Sequence, residues 1–309
     1  MKPFLFIFIV LCAATALADE PVRLTDGTHI DVVGFEVRDD VVVLVTTDGK
    51  LRSVPLSSVD LATLPDQNAM IAEAIELMGL RRLTDEISKS ARMAAAGLDG
   101  GALTSELVAD AMAQGFRAER LYEVAEEAFR QRASGLQLAA ALRFLRSPIA
   151  RRIEDAERGG SEETLARYTH ELASAPPTRE RVELLLRLDR ASGTSDAAVE
   201  MQAAMLKALL QGLYPSGPDV RRTIEDALDE ARPRLARKTR ARIQVSLHFM
   251  YRDLGDDELS EYVSFLESEN GEWLSRVMLK SLFAAMEHGA RRSGEVLAKR
   301  LKEQSKLKA

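Results

Sequence analysis

Four histidines, His29, His170, His248 and His288, are the side chains of this sequence best suited to proton transfer or metal binding near neutral pH. No two of them stand at i, i+4, and no His-Glu-x-x-His run sets two imidazoles and a carboxylate on one helical turn. His248 and His288 both belong to the second half, where a fold could bring them together. A lone helical histidine otherwise reads as a surface or internally satisfied residue. No Gly-x-Ser-x-Gly turn is present to expose a serine nucleophile. The cluster Gly97-Leu98-Asp99-Gly100-Gly101 has no strand before it and no Lys-Ser/Thr after it, so it reads as a linker and not a phosphate loop. Carboxylates gather at Glu162-Glu163 and at Asp256-Asp257-Glu258, the starts of predicted helices, where negative charge complements the helix dipole. Two carboxylates facing each other across a cleft, roughly 5–9.5 Å apart, would instead suit glycoside hydrolysis. The residue types thus assign no catalytic, cofactor-binding or metal-ligating position.

The elements that would have to position such groups begin with a leader. Lys2 gives a positive start, Phe4 to Leu11 form an apolar run, and Ala16-Leu17-Ala18 places small residues around a leucine. That is the layout of a secretory signal peptide over residues 1–18, cut between Ala18 and Asp19, and it predicts a periplasmic protein. The run is too short to anchor in a bilayer as a span. Cys12 is the only cysteine, and lipid attachment there is the minor alternative, because Leu11 stands where a small residue is required. A chain cut after Ala18 has no disulfide and no thiolate.

Composition supports a core: 46% of the residues are hydrophobic and 29% charged. Forty-two basic against 48 acidic residues, a net charge of −6, argue against a nucleic-acid partner, which would call for a basic face.

Residues 19–62 read as a small β module. Ile30-Asp31-Val32-Val33, Phe35-Glu36-Val37, Val41 to Thr46 and Leu51 to Leu56 are rich in β-branched residues, with breaks at Asp26-Gly27, Asp39-Asp40 and Asp48-Gly49. Asp48-Gly49 predicts a hairpin and Gly34 a bulge. Four short strands resemble an SH3-like barrel. Phe35 is the module's only aromatic residue, so a groove for proline-rich ligands is lacking and a packing role is expected.

From Pro65 onward the pattern is helical, rich in Ala, Leu, Glu and Arg. Breaks at Gly97–Gly101, Gly159–Ser161, Ala175–Thr178, Gly193–Ser195 and Pro215–Pro218 predict eight to ten helices, with Thr178 and Ser161 as N-caps. The helical region reads as two units, 63–176 and 177–292, followed by a basic tail, 293–309. Residues 136–157 align without a gap on 257–278. Phe144, Leu145 and Ser147 fall on Phe265, Leu266 and Ser268, and Leu138 and Leu142 fall on Leu259 and Val263. Each copy follows a long helix ending near Phe129 or near Met250-Tyr251, and Ala74–Met78 and Leu184–Leu188 open the two units. These six Phe, Leu and Ser residues are expected to be structural. Phe and Leu bury on one helical face, and the serine caps the next helix. Trp273, the sole tryptophan, is expected to seal the core. The stretch from Arg291 to Ala309, with Arg291, Arg292, Lys299, Arg300, Lys302, Lys306 and Lys308, reads as the cationic end of a last helix or as a weak contact with an anionic membrane surface.

Phe144-Leu145-Arg146-Ser147-Pro148-Ile149-Ala150 resembles the Phe-x-x-Ser-Pro-x-Gly core of an exported, helical bacterial family, domain of unknown function 2059. Phe265-Leu266-Glu267-Ser268-Glu269-Asn270-Gly271 resembles it with the proline lost and the glycine kept. That family supplies no catalytic residue. The expected molecule is therefore mainly α, a duplicated antiparallel helical bundle behind a small barrel-like β module. The expected function is that of a periplasmic interaction or scaffold protein with an unidentified envelope protein as partner and without a cofactor. The rivals are an envelope hydrolase with paired carboxylates and a lipid or small-ligand carrier.

Overall fold

The computed structural model describes residues 21–95, 105–133, 135–158, 162–213 and 218–307. The calls on Cys12, Ala18, Asp19 and Ser161 and the breaks at 97–101, 159–161 and 215–217 lie outside the described residues.

Valine-rich alternation builds five antiparallel strands. They are β1 (Val22–Arg23), β2 (His29–Ile30), β3 (Val32–Arg38), β4 (Val41–Thr46) and β5 (Leu51–Pro55). β1 pairs with β2, and β3-β4-β5 form a meander. A single bridge, Leu24 to Val59, ties the first region to the turn after β5. The hydrogen bonding makes two separate sheets, so the expected barrel-like closure is not seen. The hairpin at Asp48-Gly49 is present, with Gly49 at φ 82°.

The meander is a middle layer. Val42, Leu44 and Val54 share one face and bury against Val22, Leu24, Ile30, Val32 and Val59. Gly34 and Val45 pair on the opposite face, which meets the helices. The register shifts between Val32 and Gly34, so the bulge lies at Val33, whose side chain joins the helical core. Gly34 is required for a second reason. A Cβ there would sit 2.3 Å from the Cβ of Ala139 and 2.6 Å from the Met70 methyl.

Among the described residues there are twelve α-helices: α1 (Gln67–Leu77), α2 (Leu80–Ala95), α3 (Ser105–Gly115), α4 (Ala118–Arg130), α5 (Gly135–Leu145), α6 (Pro148–Arg158), α7 (Glu162–Ser174), α8 (Arg179–Ser192), α9 (Thr194–Leu213), α10 (Pro218–Met250), α11 (Asp256–Leu266) and α12 (Glu269–Leu307). Twelve exceeds the eight to ten expected, because corners of one or two residues, as between α3 and α4, cut helices without a Gly/Pro cluster. The Thr178 hydroxyl accepts from the Arg181 N–H at 3.1 Å, as a cap must. Gly193 closes α8 in the left-handed conformation, φ 68°, and Gly79 does the same after α1 at φ 62°.

α5 packs on α1 and on β3, which docks the β module onto the helices. α12, with 39 residues, is roughly 58 Å long and packs on α3, α4 and α9. It therefore runs across both halves, and one hydrophobic cluster extends from Val33 to Leu297. As far as Leu307 the basic tail is the end of α12, and Lys308 lies outside the described residues. Val296 and Leu297 are buried, Leu301 packs against the core, and Arg300 reaches Asp110 of α3 at 3.1 Å.

Candidate functional site

The six residues of the two Phe-Leu-x-Ser segments occupy matching corners, α5 to α6 and α11 to α12. In the first, the Arg146 N–H bonds Leu142 O, the Ser147 N–H bonds Phe144 O, and the Ser147 hydroxyl accepts from the Ala150 N–H at 3.3 Å. In the second, Glu267, Ser268 and Gly271 repeat those three bonds with Val263 O, Phe265 O and the Ser268 hydroxyl, the last at 3.2 Å. Leu145 and Leu266 are buried in each. The corners also meet. Phe144 and Phe265 stack with centroids 3.7 Å apart and planes 3° from parallel.

The residue between Leu and Ser is ion-paired in both corners, with the signs exchanged. Arg146 grips Glu73 of α1 with two bonds of 2.8 Å, largely out of solvent. Glu267 accepts from Arg187 of α8 at 3.0 and 2.6 Å in a more exposed setting. Glu73 stands six residues before Gly79, and Arg187 six before Gly193.

An aromatic row leads from this stack to a buried acid. The Tyr262 ring lies 6.1 Å from Phe144, and Tyr251 meets Tyr262 edge-on at 6.2 Å. The Tyr251 hydroxyl donates to Glu157 Oε1 at 2.6 Å, while Glu157 Oε2 is buried without a hydrogen bond. Arg82 of α2 has Nε and one terminal nitrogen buried in the same condition. Burial pushes the Glu157 carboxyl up to about 8. The Tyr251 hydroxyl and Arg82 pull it down, and neighbouring Glu154 adds to the rise. Glu154 is itself buried and ion-paired with Arg158. Both tyrosines are raised well above 10, chiefly by burial and next by the Glu157 carboxyl. A carboxyl that keeps its proton at neutral pH has the makings of a general acid. This one faces packed side chains of both halves, so here it acts as a structural hydrogen-bonding plug.

A solvent-accessible concavity lies elsewhere. Gly115 ends α3 against α12, where a Cβ would meet the Ser293 hydroxyl at 2.0 Å and Gly289 O at 2.5 Å. Phe116 is fully buried beside Gly289 and anchors the corner. That close crossing, possible because Gly115 carries no side chain, brings the start of α4 alongside α12. The resulting cleft of about 600 Å³ is lined by Gln114, Arg117, Arg120, Glu123, His288, Arg291, Arg292 and Glu295, among others. Arg120 pairs with Glu123 at 2.7 Å and Arg292 with Glu295 at 2.9 Å. Among the described residues Arg117 and Arg291 have no ion-pair partner. Arg117 is the N-cap of α4, and its side chain makes no capping bond. Partial burial, then Arg120 and Arg291, hold the His288 imidazole below its ordinary value.

The structure places His248 and His288 in different surroundings. The backbone oxygen of His248 accepts from Tyr168, and its ring lies near Arg181, far in kind from the arginine cleft. Among the described residues no three His, Cys, Asp or Glu side chains gather as metal ligands. Glu258 caps α11 by accepting from the Gly255 N–H at 2.9 Å, the role expected of that acidic run. Trp273 is 7% exposed. Sequence reasoning missed Glu157, Arg82 and the cleft. The pair Tyr251/Tyr262 in a chain with five tyrosines was the available signal for the first. The doublet Arg291-Arg292, read as tail, was the signal for the cleft. Set against family models, curated proteins and solved structures, the chain finds no match.

Proposed function

We propose that this is an exported periplasmic interaction protein, not an enzyme, resembling the helical family of unknown function 2059. In this reading the chain is a duplicated helical bundle braced by an SH3-like module, and it receives its partner in the cleft between α3–α4 and α12. One observation carries the reading. The group with the most altered acid–base character, Glu157, is sealed among core side chains, while the accessible cleft presents a charged, arginine-rich surface, with Arg120 and Arg292 held in ion pairs. Duplication is supported by the matched corner hydrogen bonds, the sign-exchanged ion pairs and the two left-handed glycines. The cleft is lined by charged side chains, so the contact favoured is a polar one.

A photo-crosslinking residue at Gln114 in living cells tests this, with one at Arg237, exposed on α10, as control. The reading expects a reproducible adduct from the cleft position only, in the periplasmic fraction, on a chain beginning at Asp19. An uncut cytoplasmic chain, or the same adducts from both positions, would contradict it.

A further inference from the structure

The cleft is unusual in kind for an acidic chain. Four guanidinium groups, Arg117 and Arg120 from the α4 side and Arg291 and Arg292 from α12, converge on a space of about 600 Å³. We propose that it is a binding site for a phosphate monoester group, an inference that rests on reading the cleft as the protein's binding surface.

Guanidinium is the side chain whose planar fork matches a phosphate with two parallel hydrogen bonds. Arg117 and Arg291 are not engaged by any carboxylate among the described residues, and they come to the cleft from two elements, the N-terminus of α4 and α12. The α4 N-terminus reinforces them. Arg117 as N-cap offers no acceptor, so the first N–H groups of the helix keep their hydrogens for an outside oxygen.

The charge balance sets the size of the ligand. Four arginines against Glu119, Glu123 and Glu295 leave a surplus of one positive charge. His288 supplies a second if it takes a proton. Arg120, Arg291 and Arg292 now oppose that proton, Glu295 favours it, and a bound dianion would favour it further. A single phosphate monoester dianion thereby matches the site. A polyanion would need a far larger excess and would meet the three glutamates.

The experiment follows His288 in the full mature chain by proton–carbon NMR, with the four histidine signals assigned through His288→Gln. Inorganic phosphate and glycerol 3-phosphate are titrated against sodium chloride of equal ionic strength. Flotation with phosphatidylcholine vesicles, with and without phosphatidic acid, separates a lipid headgroup from a free monoester. A saturable rise in the His288 pKa with phosphate, absent with chloride, is expected. Binding should weaken roughly tenfold for each arginine lost in Arg117→Gln and Arg291→Gln, with circular dichroism unchanged. If the combined variant Arg117→Gln/Arg291→Gln fails to fold, Arg291→Lys keeps the charge and still loses the fork, and weaker binding is again expected. Flotation alone would place the group on a lipid, and titration alone on a soluble molecule. A His288 response equal in chloride and phosphate, without flotation, overturns the proposal, as does undiminished binding in the variants. Crosslinks from Gln114 surviving that result would leave the interaction reading standing and remove only the phosphate.

Discussion

Replacing Glu157 by glutamine should change how stability depends on pH, and the structure fixes the sign. The folded chain holds the Glu157 proton up to about pH 8, whereas an unfolded chain releases it near the ordinary 4.5. Between those values the folded state carries one proton more than the unfolded state, so this group makes stability fall as pH rises. The limiting slope is about 1.4 kcal/mol per pH unit. From pH 6.5 to 8 the loss works out at roughly 1.6 kcal/mol, because the folded group begins to ionise near the upper end. Tyr251 can still donate to the glutamine carbonyl, so Glu157→Gln keeps the 2.6 Å hydrogen bond and removes the titration. His248 and His288, both held below 6.5, act in the opposite sense around that pH, but they titrate alike in both proteins, so the difference between wild type and variant isolates Glu157. Urea unfolding of both proteins at pH 6.5, 7.2 and 8 reads the effect. The difference in unfolding free energy should move toward the variant by roughly 1.6 kcal/mol, with unchanged m-values. Parallel profiles would mean that Glu157 is ionised against Arg82, and the protonated plug would be refuted.

The remaining predictions concern the frame. Phe144→Ala and Phe265→Ala should each cost about 2–3 kcal/mol, since both rings are half-buried, and the double-mutant cycle should return a coupling of about 1 kcal/mol by urea titration. Arg146→Met strands the buried Glu73 carboxylate and should cost about 3 kcal/mol, while Arg187→Met, in the exposed counterpart, should cost clearly less in the same assay. Pro233 stands at an exposed position inside α10, where it cannot bond the Asp229 carbonyl, so Pro233→Ala should raise the melting temperature by several degrees, a gain of about 2 kcal/mol read by calorimetry.

What was legible in the sequence was local. The Asp48-Gly49 hairpin, the bulge beside Gly34, the Thr178 cap and the helix break at Gly193 each follow from neighbours within a few positions, where turn chemistry and capping act. The corner at Ser147 was legible for the same reason. Glu157 was not. Ile153-Glu154-Asp155-Ala156-Glu157-Arg158 reads as an exposed charged turn, and only Tyr251, 94 positions later, makes it a buried one. The cleft was hidden in the same way, because Arg117 and Arg291 become neighbours only through the Gly115–Gly289 crossing. Periodicity identified which faces bury, and it carried no information on which distant face would meet them.

The account depends most on the two helical halves being one cooperative body, joined through Phe144 on Phe265 and Tyr251 on Glu157. Trp273 fluorescence reports the second half, and hydrogen exchange of α5 reports the first, so both can be followed through one urea titration of the protein. A single coincident transition is predicted. Two separated midpoints, with α5 exchanging while Trp273 stays buried, would contradict it.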